Sequence, residues 1–336
     1  MTKFKSLFLS LLTALVLGAA GLAAYVVYWL DSPVTLDQPR IVYTVSPGDR
    51  LRTIAQTMNG AGIHVNDDAL VLLGRYTGQD RQIHAGVYEA LAGDSPRRLL
   101  DRMARGEMVQ TRLTFVEGWT YRQIRQALRD HTDVRQTLQD VSDEQVLQRL
   151  GAEYTSPEGL FFPDTYVFVP GTTDFAVLEQ AFKAQQKHLA QLWEQRDPDL
   201  PLKSPYEALI LASIVEKETG HSPDRDKVAG VFINRLRTGM ALQTDPTVIY
   251  GMGDAYQGRI RKRDLQTDTP WNTYTRPGLP PTPIASPGRA ALEATLKPAD
   301  HDFYYFVARG DGTSEFSRNL SEHNRAVRKF ILGQRS

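Results

Sequence analysis

The sequence predicts an α+β protein with an N-terminal transmembrane helix, then a small module of strands and helices, and then a larger mixed α/β domain. Three observations predict this arrangement: an uncharged apolar run near the N-terminus, a strand pattern that changes to helical spacing after residue 41, and a longer stretch in which both periodicities occur. The predicted domain ranges are 1–31, 32–40, 41–105 and 106–336.

Composition limits the classes of protein to which this chain can belong. Its 336 residues are 41% hydrophobic, which is enough to bury more than one core. Lys plus Arg and Asp plus Glu both number 39, so no charge excess favours nucleic acid as a partner. The absence of cysteine excludes disulfides, thiol nucleophiles and thiolate metal sites, and the histidines show no pair at the spacing of a helical metal site.

The apolar run from Ser6 to Leu30 predicts a single transmembrane helix. About 20 apolar residues are needed to cross the hydrocarbon core, and the aromatic residues near the end of the run suit the membrane interface. Lys3 and Lys5 precede the run and are expected to keep the N-terminus in the cytoplasm. The chain after Asp31 is therefore expected to lie outside the cytoplasm, anchored to the membrane by this helix.

A cleaved signal peptide is the alternative interpretation of this run. The segment 18–24 is rich in small residues, which suit a cleavage site. The anchor interpretation is favoured, because the apolar run continues past that segment and exceeds the usual length of a signal-peptide apolar region.

A short spacer, 32–40, precedes a predicted βαα(β) module at 41–105. Ile41–Val45 alternates like a strand, Ser46–Asp49 is a turn, and a helix follows in which Leu51, Ile54, Ala55 and Met58 recur at helical spacing. A second helix is predicted at 69–76 and a second strand at 84–91. The stretch 43–55 resembles the first half of a LysM module, which implies peptidoglycan binding; the alternative is a spacer domain of the same topology.

The next segment predicts a strand at 110–117, then a helix capped by Thr120, with helical structure continuing to Leu150. The aromatic segment 159–170 predicts a strand pair at the edge of the domain, and 175–196 predicts one amphipathic helix.

The segment 205–220 predicts a helix that carries a desolvated acid. Pro205 near its start and Gly220 at its end are typical helix boundaries. Glu218 continues an apolar arc that includes Leu211 and Ile214, so burial should raise its pKa, as a general acid requires. The alternative is a structural glutamate that pairs with a nearby arginine, Arg225 or Arg235.

A second helix is predicted from Ser222 to the Gly239 stop, and polar, aromatic and proline-rich loops follow at 242–251, 269–275 and 278–284. Amides, hydroxyls and flat rings on rigid loops suit a neutral sugar, although each residue could also serve only to build a turn. The candidate substrate-binding residues are Asn234, Gln243, Thr244, Asp245, Tyr250, Asn272 and Tyr274.

Five strings in this region resemble the MltG (YceG-like) family of endolytic murein transglycosylases: SIVEKETG, VFINRL, LQTDPTVIYG, NTYT and GLPPTPI. The resemblance implies a catalytic domain with a lysozyme-like helix that bears one catalytic glutamate, which maps onto Glu218 before Thr219. It also implies an inner-membrane anchor and action on nascent peptidoglycan, alongside the penicillin-binding synthases and as a terminator of strand growth. Thr282 stands where many relatives carry glycine, which affects a loop and not the acid.

One acid suffices for a lytic transglycosylase, whereas glycosidases that use water usually need two carboxyl groups. Glu218 would protonate the glycosidic oxygen and then accept the proton of the C6 hydroxyl, and no metal or cofactor is needed. Asp245 is the only obvious second acid in the loops and is assigned to loop shaping and sugar contact. The rivals are a muramidase-type hydrolase that uses Glu218 with Asp245, and a non-catalytic peptidoglycan-binding scaffold for synthases.

Overall fold

The computed structural model describes residues 13, 15–18, 20–21, 24–25 and 28–333. About half of the predicted transmembrane run, 6–30, lies outside these residues, and the run stays a prediction. Within the described ranges, no helix is both long enough and apolar enough to cross a membrane. The chain divides into two compact units, Met1–Thr111 and Arg112–Ser336.

The architecture is α+β, as predicted, because its strands form small two-stranded sheets that do not alternate regularly with the helices. The first unit contains strands Thr35–Leu36, Arg40–Val45, Ile63–His64 and Gly86–Leu91, helices Leu51–Gly60, Asp67–Thr77 and Pro96–Ala104, and a 3-10 turn at Gln79–Arg81. Thr35–Leu36 pairs antiparallel with Ile63–His64, and Arg40–Val45 pairs antiparallel with Gly86–Leu91.

Alternation along the strand Arg40–Val45 places every second side chain in the core of the first unit. The helix Leu51–Gly60 buries Leu51, Ile54, Ala55 and Met58, the residues that its spacing predicts. The helix Pro96–Ala104, which the sequence analysis missed, completes this core and is capped by Ser95. The order strand, helix, helix, strand is present, and the assignment of a glycan-binding LysM-like module stays a prediction.

The second unit is mainly helical. Its helices are Tyr121–Asp130, Asp143–Leu150, Asp174–Glu194, Pro205–Glu218, Ser222–Thr238, Asp245–Met252, Lys262–Gln266, Arg289–Leu296 and Leu320–Phe330, with a 3-10 turn at Gly253–Ala255. Its strands are Thr165–Phe168, which pairs with Thr111–Thr114, and the antiparallel hairpin Tyr305–Ala308 and Ser314–Ser317.

The helix Pro205–Glu218, here called the acid helix, lies at the centre of the second unit. All its residues from Ala208 to Val215 are buried, so apolar contacts surround it on every side. It packs against the helices Asp174–Glu194, Ser222–Thr238 and Arg289–Leu296. The apolar arc predicted from the sequence is therefore part of a wider buried surface.

Three segments of the second unit differ from the sequence predictions. Residues 131–142 are not helical, because the buried Asp174 carboxylate accepts the backbone N–H groups of Thr137 and Leu138 and holds them in a loop. The segment 159–170 forms one strand instead of a strand pair, because Leu160, Phe161 and Phe162 are buried as irregular chain.

The third difference is the segment 242–251, which was predicted as a loop. It contains the helix Asp245–Met252, with Pro246 in its first turn. A proline in the first turn leaves no helix hydrogen bond unmade, because the N–H group at that position has no partner within the helix. Asp245 is therefore the first residue of a helix and not the centre of an isolated turn.

Candidate active site

The acid helix ends at Glu218 and presents this residue at the edge of the core. Ser204 caps its start by accepting the backbone N–H of Glu207 at 3.2 Å. It ends because Thr219 adopts an extended conformation, with φ −143° and ψ 124°. The sequence placed the end of the helix at Gly220, whereas the helix ends at Glu218 and Gly220 does not have the positive φ common at helix stops.

A cavity of about 350 Å³ lies at this end of the acid helix. Its lining combines polar side chains with apolar ones from six separate parts of the second unit: Glu218, Phe232, Arg235, Leu242, Gln243, Asp245, Tyr274, Tyr305, Phe306, Leu320 and His323. Ligand sites are typically concave, with polar groups that converge on the ligand. In this cavity polar side chains predominate, which suits a ligand rich in hydrogen-bonding groups.

Glu218 has the electrostatics of a general acid. Burial raises the pKa of its carboxyl group to about 7, and the negative charge of Asp245 acts in the same direction. The Thr244 hydroxyl, which donates to the carboxylate, and the positive charge of Arg235 act to lower the pKa. A carboxyl group with a pKa near 7 can hold a proton at neutral pH and give it up during a reaction.

Thr244 holds the Glu218 carboxylate through a hydrogen bond, which its hydroxyl donates to Glu218 Oε1. Its side chain is 1% exposed, and its backbone N–H donates to the Thr273 hydroxyl at 3.1 Å. The preceding residue, Gln243, has a φ of +49°, a conformation that residues other than glycine seldom adopt. This strained residue lines the cavity, and its side chain is exposed to it.

Asp245 and Tyr274, two further candidate substrate residues, form a pair at the cavity. The Tyr274 hydroxyl donates to Asp245 Oδ1 at 2.6 Å, and burial raises the pKa of the tyrosine. One carboxylate oxygen of Asp245 is thus engaged by Tyr274, while the residue as a whole stays exposed. The structure therefore places Gln243, Asp245 and Tyr274 around Glu218, with Thr244 directly behind it.

The other three candidate substrate residues, Asn234, Tyr250 and Asn272, do not line the cavity and instead make hydrogen bonds that stabilise the fold. Asn234 is buried, and its amide N–H groups donate to the backbone oxygens of His301 and Phe303. Asn272 donates in the same way to three backbone oxygens of the segment 264–267. Tyr250 donates its hydroxyl to Glu158 Oε2 at 3.1 Å. Substrate contact is thus best assigned to the residues that line the cavity.

Neither arginine proposed as a structural partner of Glu218 forms an ion pair with it within the described part of the chain. Arg235 lines the cavity, but its guanidinium donates Nε to the Tyr304 oxygen at 2.7 Å and Nη1 to the Leu242 oxygen at 2.5 Å. The Arg225 Nε atom is covered and lacks a hydrogen-bond partner among the described residues. The Glu218 carboxyl group is therefore not neutralised by a salt bridge, which suits a group that must exchange protons.

The neighbouring acid Glu216 faces away from the cavity. Its carboxylate accepts the backbone N–H of Gly288 at 2.9 Å, and burial raises its pKa. Side chains two positions apart in a helix point in directions that differ by about 200°, so Glu216 and Glu218 contact different parts of the protein.

Sequence reasoning missed a buried acid, Glu158, which is 5% exposed. Burial raises the pKa of its carboxyl group to about 7, and it accepts hydrogen bonds from the Tyr121 N–H at 2.9 Å and from the Tyr250 hydroxyl. Glu158 does not line the cavity. Through its hydrogen bond with Tyr250 it holds the helix Asp245–Met252 in place. Its only sequence signal is a charged residue directly before the buried aromatic run at 160–162.

Sequence reasoning also missed the C-terminal contribution to the cavity. Tyr305 and Phe306 of the hairpin and Leu320 and His323 of the helix Leu320–Phe330 line it. These residues follow no motif that distinguishes them from ordinary surface residues, so only the fold brings them to Glu218.

Comparisons with family models, curated proteins and solved structures all find YceG-like proteins or endolytic murein transglycosylases. A model of the YceG-like family matches residues 43–329. An endolytic murein transglycosylase of Bacillus subtilis (strain 168) is 31% identical over 322 residues, which cover 90% of this chain and 88% of that protein. One of Streptococcus pneumoniae serotype 2 is 28% identical over 364 residues, which cover 97% of this chain and 65% of that protein. A crystal structure of a YceG-like protein from Listeria monocytogenes matches with a TM-score of 0.52 and 26% identity, over 85% of this chain and 98% of that one.

Proposed function

The chain belongs to the YceG-like family, and we infer that it is an endolytic murein transglycosylase with Glu218 as its acid and base. The observation that carries this inference is the state of Glu218. Glu218 is half-buried, desolvation raises the pKa of its carboxyl group to about 7, and it lies in a cavity with polar side chains suited to a sugar.

The reaction requires Glu218 to act twice. Its proton passes to the oxygen that joins N-acetylmuramic acid to N-acetylglucosamine, and the bond from this oxygen to C1 breaks as the acetamide of the muramic acid stabilises the positive charge at C1. The resulting carboxylate then accepts the proton of the C6 hydroxyl, whose oxygen closes a 1,6-anhydro ring on C1. The carboxyl group is regenerated, and no water is consumed.

The surroundings of Glu218 support both steps. Burial favours the protonated acid before bond cleavage, while the Thr244 hydroxyl and the Arg235 charge stabilise the carboxylate that follows. Gln243, Asp245 and Tyr274 line the same cavity and offer hydrogen bonds to sugar hydroxyl and acetamide groups.

Mass spectrometry of the products tests this function. Purified murein digested with the protein should yield fragments with 1,6-anhydro ends, one water lighter than hydrolysis products. Hydrolysis products would instead favour the muramidase-type reaction in which Asp245 assists Glu218, since both residues line the cavity. Intact murein after digestion with folded protein would favour a non-catalytic scaffold.

The location is a separate proposal. The protein is a single-pass protein of the inner membrane, with its N-terminus in the cytoplasm and its catalytic unit in the periplasm. The apolar run 6–30 and the lysines before it support this topology. N-terminal sequencing of the mature protein tests it, because a start near Tyr25 would indicate a cleaved signal peptide instead.

The physiological role is likewise a proposal. The enzyme cleaves nascent glycan strands beside penicillin-binding synthases and so terminates their growth. A membrane anchor would hold it where new strands emerge. Adding the protein to a synthase reaction should shorten the strands and give each a 1,6-anhydro end, whereas unchanged strand lengths would argue against this role.

The module 41–105 is proposed to bind peptidoglycan without contributing to the chemistry. The resemblance of its first half to a LysM module supports this assignment, and no residue of the module lines the cavity around Glu218. A pull-down with insoluble murein should retain the full chain better than a chain that begins at Gln110.

A further inference from the structure

The cavity around Glu218 has a group of lining residues that is separate from the motif-bearing loops. We call this group the C-terminal wall; it consists of Tyr305, Phe306, Leu320 and His323. The hairpin that carries the first two residues packs against the helices Ser222–Thr238 and Leu320–Phe330. The wall is therefore an integral part of the second unit, and each of its residues lines the same cavity as Glu218.

His323 is a polar residue of this wall whose ring is held by a neighbouring side chain. Its ring stacks on Tyr305, with ring centroids 5.1 Å apart and an angle of 26° between the planes. The helix that carries it begins with a side-chain cap from Asn319 to the backbone N–H of Glu322 at 3.0 Å. The imidazole is thus half-buried and held in place on an ordered helix.

Neither nitrogen of the His323 ring has a hydrogen-bond partner within the described ranges. Nδ1 is covered by protein, whereas Nε2 is not among the covered atoms. A half-buried polar group without a partner is costly, and most such groups in folded proteins are paired with protein, water or ligand. That cost falls on the covered Nδ1, whereas Nε2 is accessible and has no partner among the described residues; because His323 lines the cavity, Nε2 is free to pair with a group bound there.

The charge state of this ring restricts its ligand. Burial lowers the pKa of His323, and the positive charge of Arg235 lowers it further, so the fold favours the neutral form of the ring. A neutral imidazole offers one N–H donor and one acceptor. It therefore matches a hydroxyl or an amide better than a carboxylate, and a glycan strand is rich in both.

We propose that His323 is a glycan-binding residue that offers Nε2 to an uncharged hydroxyl or acetamide group of the strand, next to the bond that Glu218 cleaves. The proposal rests on the proposed function, because it takes the cavity to hold a glycan strand. It adds a binding contact from the C-terminal helix, outside the five family strings.

Three substitutions of His323 in the full chain separate this role from a purely structural one. His323→Gln places an amide close to the position of Nε2, His323→Asn places one close to Nδ1, and His323→Phe keeps only the stacked ring. Binding through Nε2 predicts a KM near the wild-type value for His323→Gln and a KM about tenfold higher for His323→Asn and His323→Phe. In all three variants kcat should change less than KM.

A structural role predicts a different order. His323→Phe, which keeps the stacking on Tyr305, would then behave like the wild type, and His323→Gln would be the more damaged protein. That order, or equal KM values for all three variants and the wild type, would overturn the proposal.

Direct binding separates failure of this proposal from failure of the proposed function. The full chain with Glu218→Gln is titrated calorimetrically with oligosaccharides of N-acetylglucosamine and N-acetylmuramic acid, with and without His323→Phe. About tenfold weaker binding with His323→Phe supports the proposal even if the wild type forms no anhydro product. Unchanged binding, alongside normal wild-type cleavage, overturns the proposal and leaves the enzymatic function intact.

Two further measurements complete the test. The His323 ring nitrogens should change their NMR chemical shifts when oligosaccharide is added to the Glu218→Gln protein, which needs no substitution at His323; unchanged shifts under saturating ligand would contradict the proposal. De-N-acetylated oligosaccharides then identify the group contacted. If the effect of His323→Phe disappears with them, the contact is to an acetamide, and if it persists, the contact is to a hydroxyl.

Discussion

Replacing Thr244 with valine should move the pH dependence of cleavage to higher pH. The Thr244 side chain is buried, and its hydroxyl donates to the Glu218 carboxylate. A hydrogen bond to the charged form of an acid lowers its pKa, so this bond opposes the burial that raises the pKa of Glu218 to about 7. Valine keeps the shape of threonine but cannot donate, so the variant removes the bond and keeps the burial.

The size of the shift follows from the strength of the bond. A hydrogen bond to a charged group contributes about 1.5–3 kcal/mol, and one pKa unit corresponds to about 1.4 kcal/mol. Complete loss of the bond would raise the pKa of Glu218 by about one to two units, and water entering from the cavity would replace part of it. We therefore expect a rise of about one unit.

The measurement is kcat/KM for murein oligosaccharides as a function of pH. Glu218 must start the reaction protonated, so kcat/KM falls as the pH rises through its pKa in the free enzyme. In Thr244→Val this fall should occur about one pH unit higher than in the wild type.

Thr247→Val is the matched control for this experiment. The Thr247 hydroxyl is also buried, and it donates to the Thr244 backbone oxygen at 2.7 Å without touching Glu218. This variant should lose stability and keep the wild-type pH profile. The reasoning is refuted if Thr244→Val leaves the alkaline fall in place or moves it to lower pH, because Glu218 would then not be the group whose proton limits the reaction.

Four further predictions concern activity and stability. Glu218→Gln should lower turnover by about 10² or more with the fold intact, whereas Glu216→Gln, whose carboxylate faces Gly288, should keep most activity in the same anhydro-product assay. Because burial raises the pKa of the Glu218 carboxyl group from 4.5 to about 7, the wild type loses stability as the pH rises through that window. Glu218→Gln should therefore be more stable than the wild type above about pH 7, by at most about 3 kcal/mol, and equally stable below about pH 4, as measured by denaturant unfolding. A chain that begins at Gln110 should fold and still cleave murein; if it is folded by circular dichroism but inactive, the first unit belongs to the catalytic machinery. Asp174→Asn should destabilise the second unit by about 2–4 kcal/mol in thermal unfolding, because the buried carboxylate accepts three backbone N–H groups; a change below about 0.5 kcal/mol would contradict this account.

Local sequence patterns predicted several elements correctly. Helical spacing identified the buried face of Leu51–Gly60, and Gly239, with a φ of 70°, ends the helix Ser222–Thr238 where the sequence placed its stop. Thr120 caps the helix Tyr121–Asp130 with a complete capping box, as its position in the sequence predicted. These features depend on residues within one or two turns of each other, so their physics is visible in the sequence.

The acid itself was also accessible from the sequence, but its surroundings were not. The motif and the apolar arc both select Glu218, and burial raises its pKa in the direction that the arc predicts. The sequence predicts a loop where the helix Asp245–Met252 begins, because a proline such as Pro246 marks both loops and helix starts. The directions of the Asn234 and Asn272 amides could not be predicted either, since their backbone partners come from other loops.

By itself, then, the sequence determined the α+β class, the position of the acid helix and the identity of its terminal glutamate, because periodicity, helix ends and motifs are written in neighbouring residues. Only the tertiary structure decided that Thr244 donates to Glu218, that Glu158 holds Tyr250, and that His323 lines the same cavity as the acid. Each of these contacts joins residues that are distant in the chain. Such contacts arise when separately formed helices pack around one core, and no local pattern records which side chains will then meet.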